Sequence, residues 1–275
     1  MDNAIRQALA DGKPSVGTWL NLGSPLAAEV LAAAGFPWLC IDAEHTAYGM
    51  GEIAHSLRAI EARGALPLVR AWDHAPTTIG RLLDAGARGI VFPHVSTPEQ
   101  AQNLAQAMRY PPTGHRSSGT GRCTTLHPDY RALANDDVLC IPQIEDPEGI
   151  ANAEAIAAVE GVDIGFLGPN DLALAMGVDA GSAEHEAALQ SFRQGLSPCY
   201  VLSPAPDDVG FIPPSEARSV PYRLGVCAHV DVVNATGDVP AEALERLPRV
   251  QLHEVRIGPL DAVEVQLHVS THATH

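Results

Sequence analysis

Leu66-Pro67-Leu68-Val69-Arg70, the helical pattern around Thr78–Ala85, Gly89-Ile90-Val91-Phe92-Pro93 and then Thr97-Pro98-Glu99-Gln100 decide the fold. Short apolar runs of strand length flank a helical segment. The last stretch is a capping box with proline at the first helical position, and Ala101, Leu104, Ala105 and Met108 form the apolar face of the helix it opens. Strand and helix alternate with connections of only a few residues, which requires parallel strands joined by crossover helices.

The same alternation extends both ways. Towards the N-terminus, Val16–Leu22 reads as a strand, Ser24-Pro25 opens a helix to Ala34, and Trp38–Asp42 is a second strand. Ile53, Leu57 and Ile60 then make a helical stripe that Gly64 ends. Towards the C-terminus, Val138–Glu145 and Asp163–Leu167 read as strands, Asp146-Pro147 caps a helix between them, and helical patterns run on to Gln194. The expected architecture is a (β/α)8 barrel. A doubly wound open sheet is second, lowered by the lack of a GxGxxG turn after the first strand.

Beyond Gln194 the text changes. Pro198, Pro204, Pro206, Pro213, Pro214 and Pro221 crowd the chain, and the last two βα units read as atypical or missing. Leu224–Val233, Val250–Ile257 and Val263–Val269 look strand-like without helical faces between them. The expected division is residues 1–194 as barrel and 195–275 as an atypical proline-rich segment. A reading-frame change near codon 195 would produce such a segment; finding no barrel-like text in the gene's other frames would reject it.

Composition narrows the function. The 275 residues are 46% hydrophobic and 18% charged, with a formal net charge of −16. So acidic a chain is a poor match for a nucleic-acid backbone. No apolar run reaches membrane-spanning length, and the N-terminus lacks the pattern of a secretory signal, so a cytoplasmic location is expected. The five cysteines form no CxxC pair, as reduced thiols would. Lys13 is the only lysine and precedes the first strand, which disfavours a Schiff-base mechanism.

In a parallel barrel the reactive groups gather at the C-terminal ends of the strands. Those ends carry Asp42-Ala43-Glu44-His45, Arg70, Pro93-His94, Gln143-Ile144-Glu145 and Gly168-Pro169-Asn170-Asp171. Alternation puts Gln143 and Glu145 on one face of their strand. Glu145 with Asp171 suits a hard divalent cation, although both could simply be acids at helix starts. His45, beside Asp42 and Glu44, suits acid/base work. Arg70 ends an apolar run and should point at an anion or a partner carboxylate. His94 could join His45 as a ligand, but the histidines lack metal-site spacing.

These residues resemble the HpcH/HpaI class of metal-dependent pyruvate aldolases. The resemblance runs from residue 15 to about 194 through Gly17-Thr18-Trp19-Leu20, Gly35-Phe36-Pro37-Trp38, Ile41–His45, Leu68-Val69-Arg70, Tyr110-Pro111-Pro112 with Gly114 and Arg116, Gln143–Glu145, and Gly161-Val162-Asp163 into Gly168–Leu172. It implies a barrel of the phosphoenolpyruvate/pyruvate type and an aldehyde-lyase that cleaves a 4-hydroxy-2-oxo acid to pyruvate and an aldehyde through a metal-stabilised enolate. Glu145 and Asp171 would hold Mg²⁺, Mn²⁺ or Co²⁺. Gln143, Gly168, Pro169, Asn170 and Asp171 would line the pyruvate pocket, and Arg70 would stabilise the enolate. His45 would move the proton of the C4 hydroxyl, with Asp84 raising its basicity. The Pro111–Thr125 loop and neighbouring subunits would shape the aldehyde pocket. The partners implied are small-molecule substrates and other copies of the chain in a hexamer, with no nucleic acid and no membrane. A citryl- or malyl-CoA lyase-like enzyme, or an inactive metal- or carboxylate-binding remnant of an unfinished barrel, are the alternatives.

Overall fold

The computed structural model describes residues 3–10, 15–195, 200–203 and 224–227. The chain begins with helix α1 (Ala4–Ala10). Strand and helix then alternate: β1 (Ser15–Leu20), α2 (Pro25–Ala33), β2 (Trp38–Asp42), α3 (Met50–Ala62), β3 (Leu66–Arg70), α4 (Pro76–Ala85), β4 (Gly89–Phe92) and α5 (Pro98–Met108). A short 3₁₀ turn (Arg122–Thr125) and α6 (Tyr130–Asp137) lead to β5 (Leu139–Ile144), α7 (Pro147–Ala151), α8 (Ala153–Ala157), β6 (Ile164–Leu167), α9 (Pro169–Met176) and α10 (Ala183–Gly195). β7 (Tyr200–Ser203) and β8 (Leu224–Cys227) complete a closed barrel in the order β1 to β8. All strand pairs are parallel, and β8 returns to pair with β1.

The sheet therefore does not stop at residue 194. Two four-residue strands from the proline-rich part close it, which removes the ground for expecting an unfinished barrel. Of the strand-like stretches expected there, Leu224–Val233 contains β8, whereas Val250–Ile257 and Val263–Val269 lie outside the described residues. Most of the segment assigned to a frame change lies outside them too, as does Lys13.

Period-two alternation builds the interior. Trp38, Cys40, Leu66, Leu68, Val91, Leu139, Ile141, Ile164 and Phe166 form one buried cluster with Ile5 of α1. These are every second residue of their strands, so they share the inner face. The next inward position on each strand lies one layer higher: Asp42 after Cys40, Arg70 after Leu68, Gln143 after Ile141, and Gly168 after Phe166. The polar site is thus the top layer of an otherwise apolar barrel. At the bottom, Trp38 Nε1 donates to Ser15 Oγ at 3.1 Å. Gly17 stands against that indole; a Cβ there would fall 2.1 Å from the Trp38 ring.

The helices follow their local signals. α5 carries the full capping box: Thr97 accepts from the Gln100 amide, and the Gln100 side chain accepts from the Thr97 amide. α4 ends on Gly86 at φ 109°, where glycine alone pays no Cβ penalty. Pro142, which cannot donate to a ladder, sits in β5 opposite Phe92. None of the described helices is long and apolar enough to cross a membrane.

Candidate active site

A cavity of about 190 Å³ opens at the C-terminal ends of the strands. Its walls include Asp42, His45, Arg70, Gln143 and the Gly168–Asp171 turn, together with Trp19, Asn21 and Phe166. The last three were given no site role from the sequence, although Trp19 stands in a motif quoted above. Trp19 and Phe166 could have been given one: each lies two residues beyond an inward glycine or isoleucine on its own strand, Gly17 and Ile164.

Arg70 is fixed as a fork. Its Nε donates to Asp42 Oδ1 at 2.9 Å and its Nη2 to Asp42 Oδ2 at 2.7 Å. Its guanidinium also lies 4.8 Å from the centre of the Trp19 ring. Burial alone would pull this guanidinium's pKa down, but the hydrogen bond and charge of Asp42, joined by Glu44, raise it. Arg70 is a permanently charged, pre-aimed cation. Asp42 does further work, since its Oδ1 also accepts the backbone amides of Glu44 and His45 at 3.1 and 3.3 Å. One buried carboxylate therefore shapes the β2–α3 turn and orients Arg70 together.

Glu145 stands behind Gln143 and Gly168 and is 3% exposed. Gln143 Nε2 donates to its Oε2, and the backbone amide of His94 donates to its Oε1 at 2.8 Å. Burial raises its pKa, helped by the negative charge of Asp171; the His94 and Gln143 bonds oppose the rise. Gly168 is required by this packing, because a Cβ there would stand 2.5 Å from Glu145 Oε2 and 2.8 Å from Glu145 Cβ. Asp171 lies in the first turn of α9, two residues after its opening proline. His185 of α10 locks that turn. Its Nδ1 accepts the Gly181 amide at 3.0 Å, which leaves Nε2 as the donor to the Pro169 carbonyl at 2.9 Å.

A divalent cation fits this donor set. Glu145 and Asp171 carry hard oxygen donors, and Gln143 Oε1 is buried and has no hydrogen-bond partner among the described residues. No group of three His, Cys, Asp or Glu side chains among the described residues is arranged to hold a metal. The protein side would thus supply two carboxylates, leaving the remaining positions to substrate and water, as magnesium-type sites do.

His45 lines the cavity with its side chain 60% exposed, and its Nε2 is 3.3 Å from Glu44 Oε2. Asp84 is not beside it. Asp84 accepts from Arg116 Nη2 at 2.8 Å and lies 3.5 Å from Cys123 Sγ, in a pocket with Tyr110 and Tyr130. The reason is topological. Crossover helices run antiparallel to the strands, so the C-terminal end of α4 lies at the barrel face opposite the site. The Pro111–Thr125 loop shares that fate because it leaves the end of α5 and folds back on it, with His115 N bonded to Gln106 O and Arg116 N to Arg109 O. Within one chain this loop cannot shape the cavity.

The chain is similar to known proteins. The family model for HpcH/HpaI aldolase/citrate lyase matches residues 15–199. A hydroxypyruvate/pyruvate aldolase of Deinococcus radiodurans is 41% identical over 181 residues, covering 64% of this chain and 65% of that protein. A 4-hydroxy-2-oxo-heptane-1,7-dioate aldolase of Salmonella paratyphi A is 36% identical over 226 residues, covering 81% of this chain and 84% of that protein. The crystal structure of an HpcH/HpaI aldolase/citrate lyase family protein from Burkholderia cenocepacia J2315 matches with a TM-score of 0.74 and 36% identity, covering 84% of this chain and 94% of that one. This chain belongs to the HpcH/HpaI aldolase/citrate lyase family and is an aldehyde-lyase of its divalent-metal-dependent aldolase class.

Proposed function

We propose that this enzyme reversibly cleaves a 4-hydroxy-2-oxo acid to pyruvate and an aldehyde, with Mg²⁺, Mn²⁺ or Co²⁺ held by Glu145 and Asp171. The observation that carries the reading is a cavity lined by Gln143, Gly168, Asp171 and an arginine fixed by a bidentate bond, with the buried Glu145 carboxylate bonded to that Gln143 wall. When bound, a divalent cation would supply positive charge that stabilises the enolate formed from the 2-oxo acid.

The chain's own residues do the rest. The start of α9, with Gly168, Pro169 and Asn170, receives the substrate carboxylate, where the helix N-terminus favours negative charge. Gln143 lines the same pocket. Arg70 faces the keto oxygen, where negative charge grows as the C3–C4 bond breaks and its electron pair moves into the enolate. His45, at the open mouth with Glu44 beside it, takes the proton of the C4 hydroxyl as the aldehyde forms. Return of that proton from His45 to C3 of the enolate completes pyruvate and restores the histidine.

A homo-oligomer, a hexamer in this reading, supplies what one chain does not. Asp84 and the Pro111–Thr125 loop can reach a His45 only from a second copy. Leu22, Leu26 and Trp72, exposed apolar side chains in or beside the β1–α2 and β3–α4 loops at the mouth, give that copy a surface to cover. The enzyme works in the cytoplasm on this view, with small molecules as its only substrates.

Continuous assay of pyruvate release from a 4-hydroxy-2-oxo acid tests the reading. Chelator should abolish release, and Mg²⁺, Mn²⁺ or Co²⁺ should restore it. Release that survives complete removal of divalent metal would refute it.

A further inference from the structure

His94 has a conformation and a set of neighbours that the proposed reaction leaves unused. It is the one non-glycine residue with positive φ among the described residues, at 55°. The left-handed region disfavours a histidine, so the surroundings must over-determine it. Two carboxylates do so. Its backbone amide donates to Glu145 Oε1 at 2.8 Å, and its own ring Nδ1 stands 3.0 Å from the same oxygen. Its Nε2 lies 3.3 Å from Glu44 Oε1. Glu44 in turn places its other oxygen 3.3 Å from Arg70 Nε and 3.3 Å from His45 Nε2. That oxygen is buried and lacks a hydrogen bond among the described residues.

His94 thus spans the barrel mouth between the β2 turn and the end of β5. One side meets the proposed cation ligand; the other meets the carboxylate between Arg70 and His45. The ring is 66% exposed, so packing does not hold it there. The two carboxylates do.

We propose that His94 is a positioning residue: its ring and backbone amide together hold Glu145 Oε1, so that Oε2, which also accepts from Gln143 Nε2, is the oxygen that would serve a cation, and Glu44 holds the ring in place. This rests on the assignment of Glu145 as a metal ligand. Partners that orient a ligating carboxylate are commonly worth about 10- to 100-fold in metal affinity.

The variants separate ring from backbone. His94→Gly keeps the left-handed turn and the amide donor while removing the ring. His94→Asn tolerates the same φ and places an amide nitrogen near the position of Nδ1. Mn²⁺ and Mg²⁺ binding to the purified full-length chain would be measured by titration calorimetry, with melting temperatures recorded alongside. His94→Gly should bind both ions about tenfold more weakly. His94→Asn should recover much of the loss. Wild-type affinity in His94→Gly would overturn the proposal, and so would a loss confined to Mn²⁺, which would make the ring a direct nitrogen ligand. Failure of the wild-type chain to bind either ion, or unchanged binding in Glu145→Ala, would instead strike the assignment of the site.

Discussion

Glu145→Gln is expected to abolish tight divalent-cation binding and to lower turnover by roughly 10³-fold, the equivalent of several kcal/mol of charge stabilisation. The substitution preserves shape, so the fold should survive. Its chemistry does not match the pocket. The Glu145 carboxylate receives donors on both oxygens, from the His94 amide and from Gln143 Nε2. An amide can offer an oxygen to only one of them and must turn its NH₂ against the other donor. It also removes the charge that balances a cation. Mn²⁺ titration together with pyruvate release from a 4-hydroxy-2-oxo acid checks both halves. A variant that binds Mn²⁺ and turns over like wild type would exclude Glu145 as a ligand.

Arg70→Lys should leave cation affinity nearly unchanged and lower kcat by about 10²–10³-fold, the usual cost of one preorganised donor at a developing oxyanion. Charge is retained, so the loss tests geometry. Arg70 spends Nε and Nη2 on Asp42 and lies over Trp19, which leaves the rest of a rigid fork facing the cavity. A lysine ammonium is a single flexible point and cannot grip Asp42 and face the substrate together. KM for the 2-oxo acid should move less than kcat, because the negative charge appears only as the bond breaks. Equal kcat in the two proteins would remove Arg70 from the reaction. A large drop in Mn²⁺ affinity would assign it to the metal site instead.

These effects depend on distances no sequence pattern reports, whereas much of the frame was legible. Trp38–Asp42 and Leu66–Arg70 were bounded to the residue, and Thr97–Gln100 closed the capping box that its spacing implied. Such features rest on local rules: period-two burial, side-chain capping, and left-handed glycine. The ordered alternation placed Asp42, His45, Arg70, Gln143, Glu145 and Asp171 at one end of the sheet, because parallel strands put all their C-termini there. α1 was not foreseen; its burial comes from Ile5 joining the residues that fill the barrel, which lie far from it along the chain, out to Phe166.

By itself, then, the sequence determined the alternating parallel architecture and the residue types at the strand mouths, since both follow from interactions within a turn or a strand. Tertiary structure alone decided that β7 and β8 close the sheet and that Arg70 is bound by Asp42. It also put Asp84 with Arg116 at the far end of the barrel, away from His45, and His94 between Glu44 and Glu145. Each of these joins residues distant along the chain. Their meeting is set by strand register and helix direction, which no local periodicity encodes.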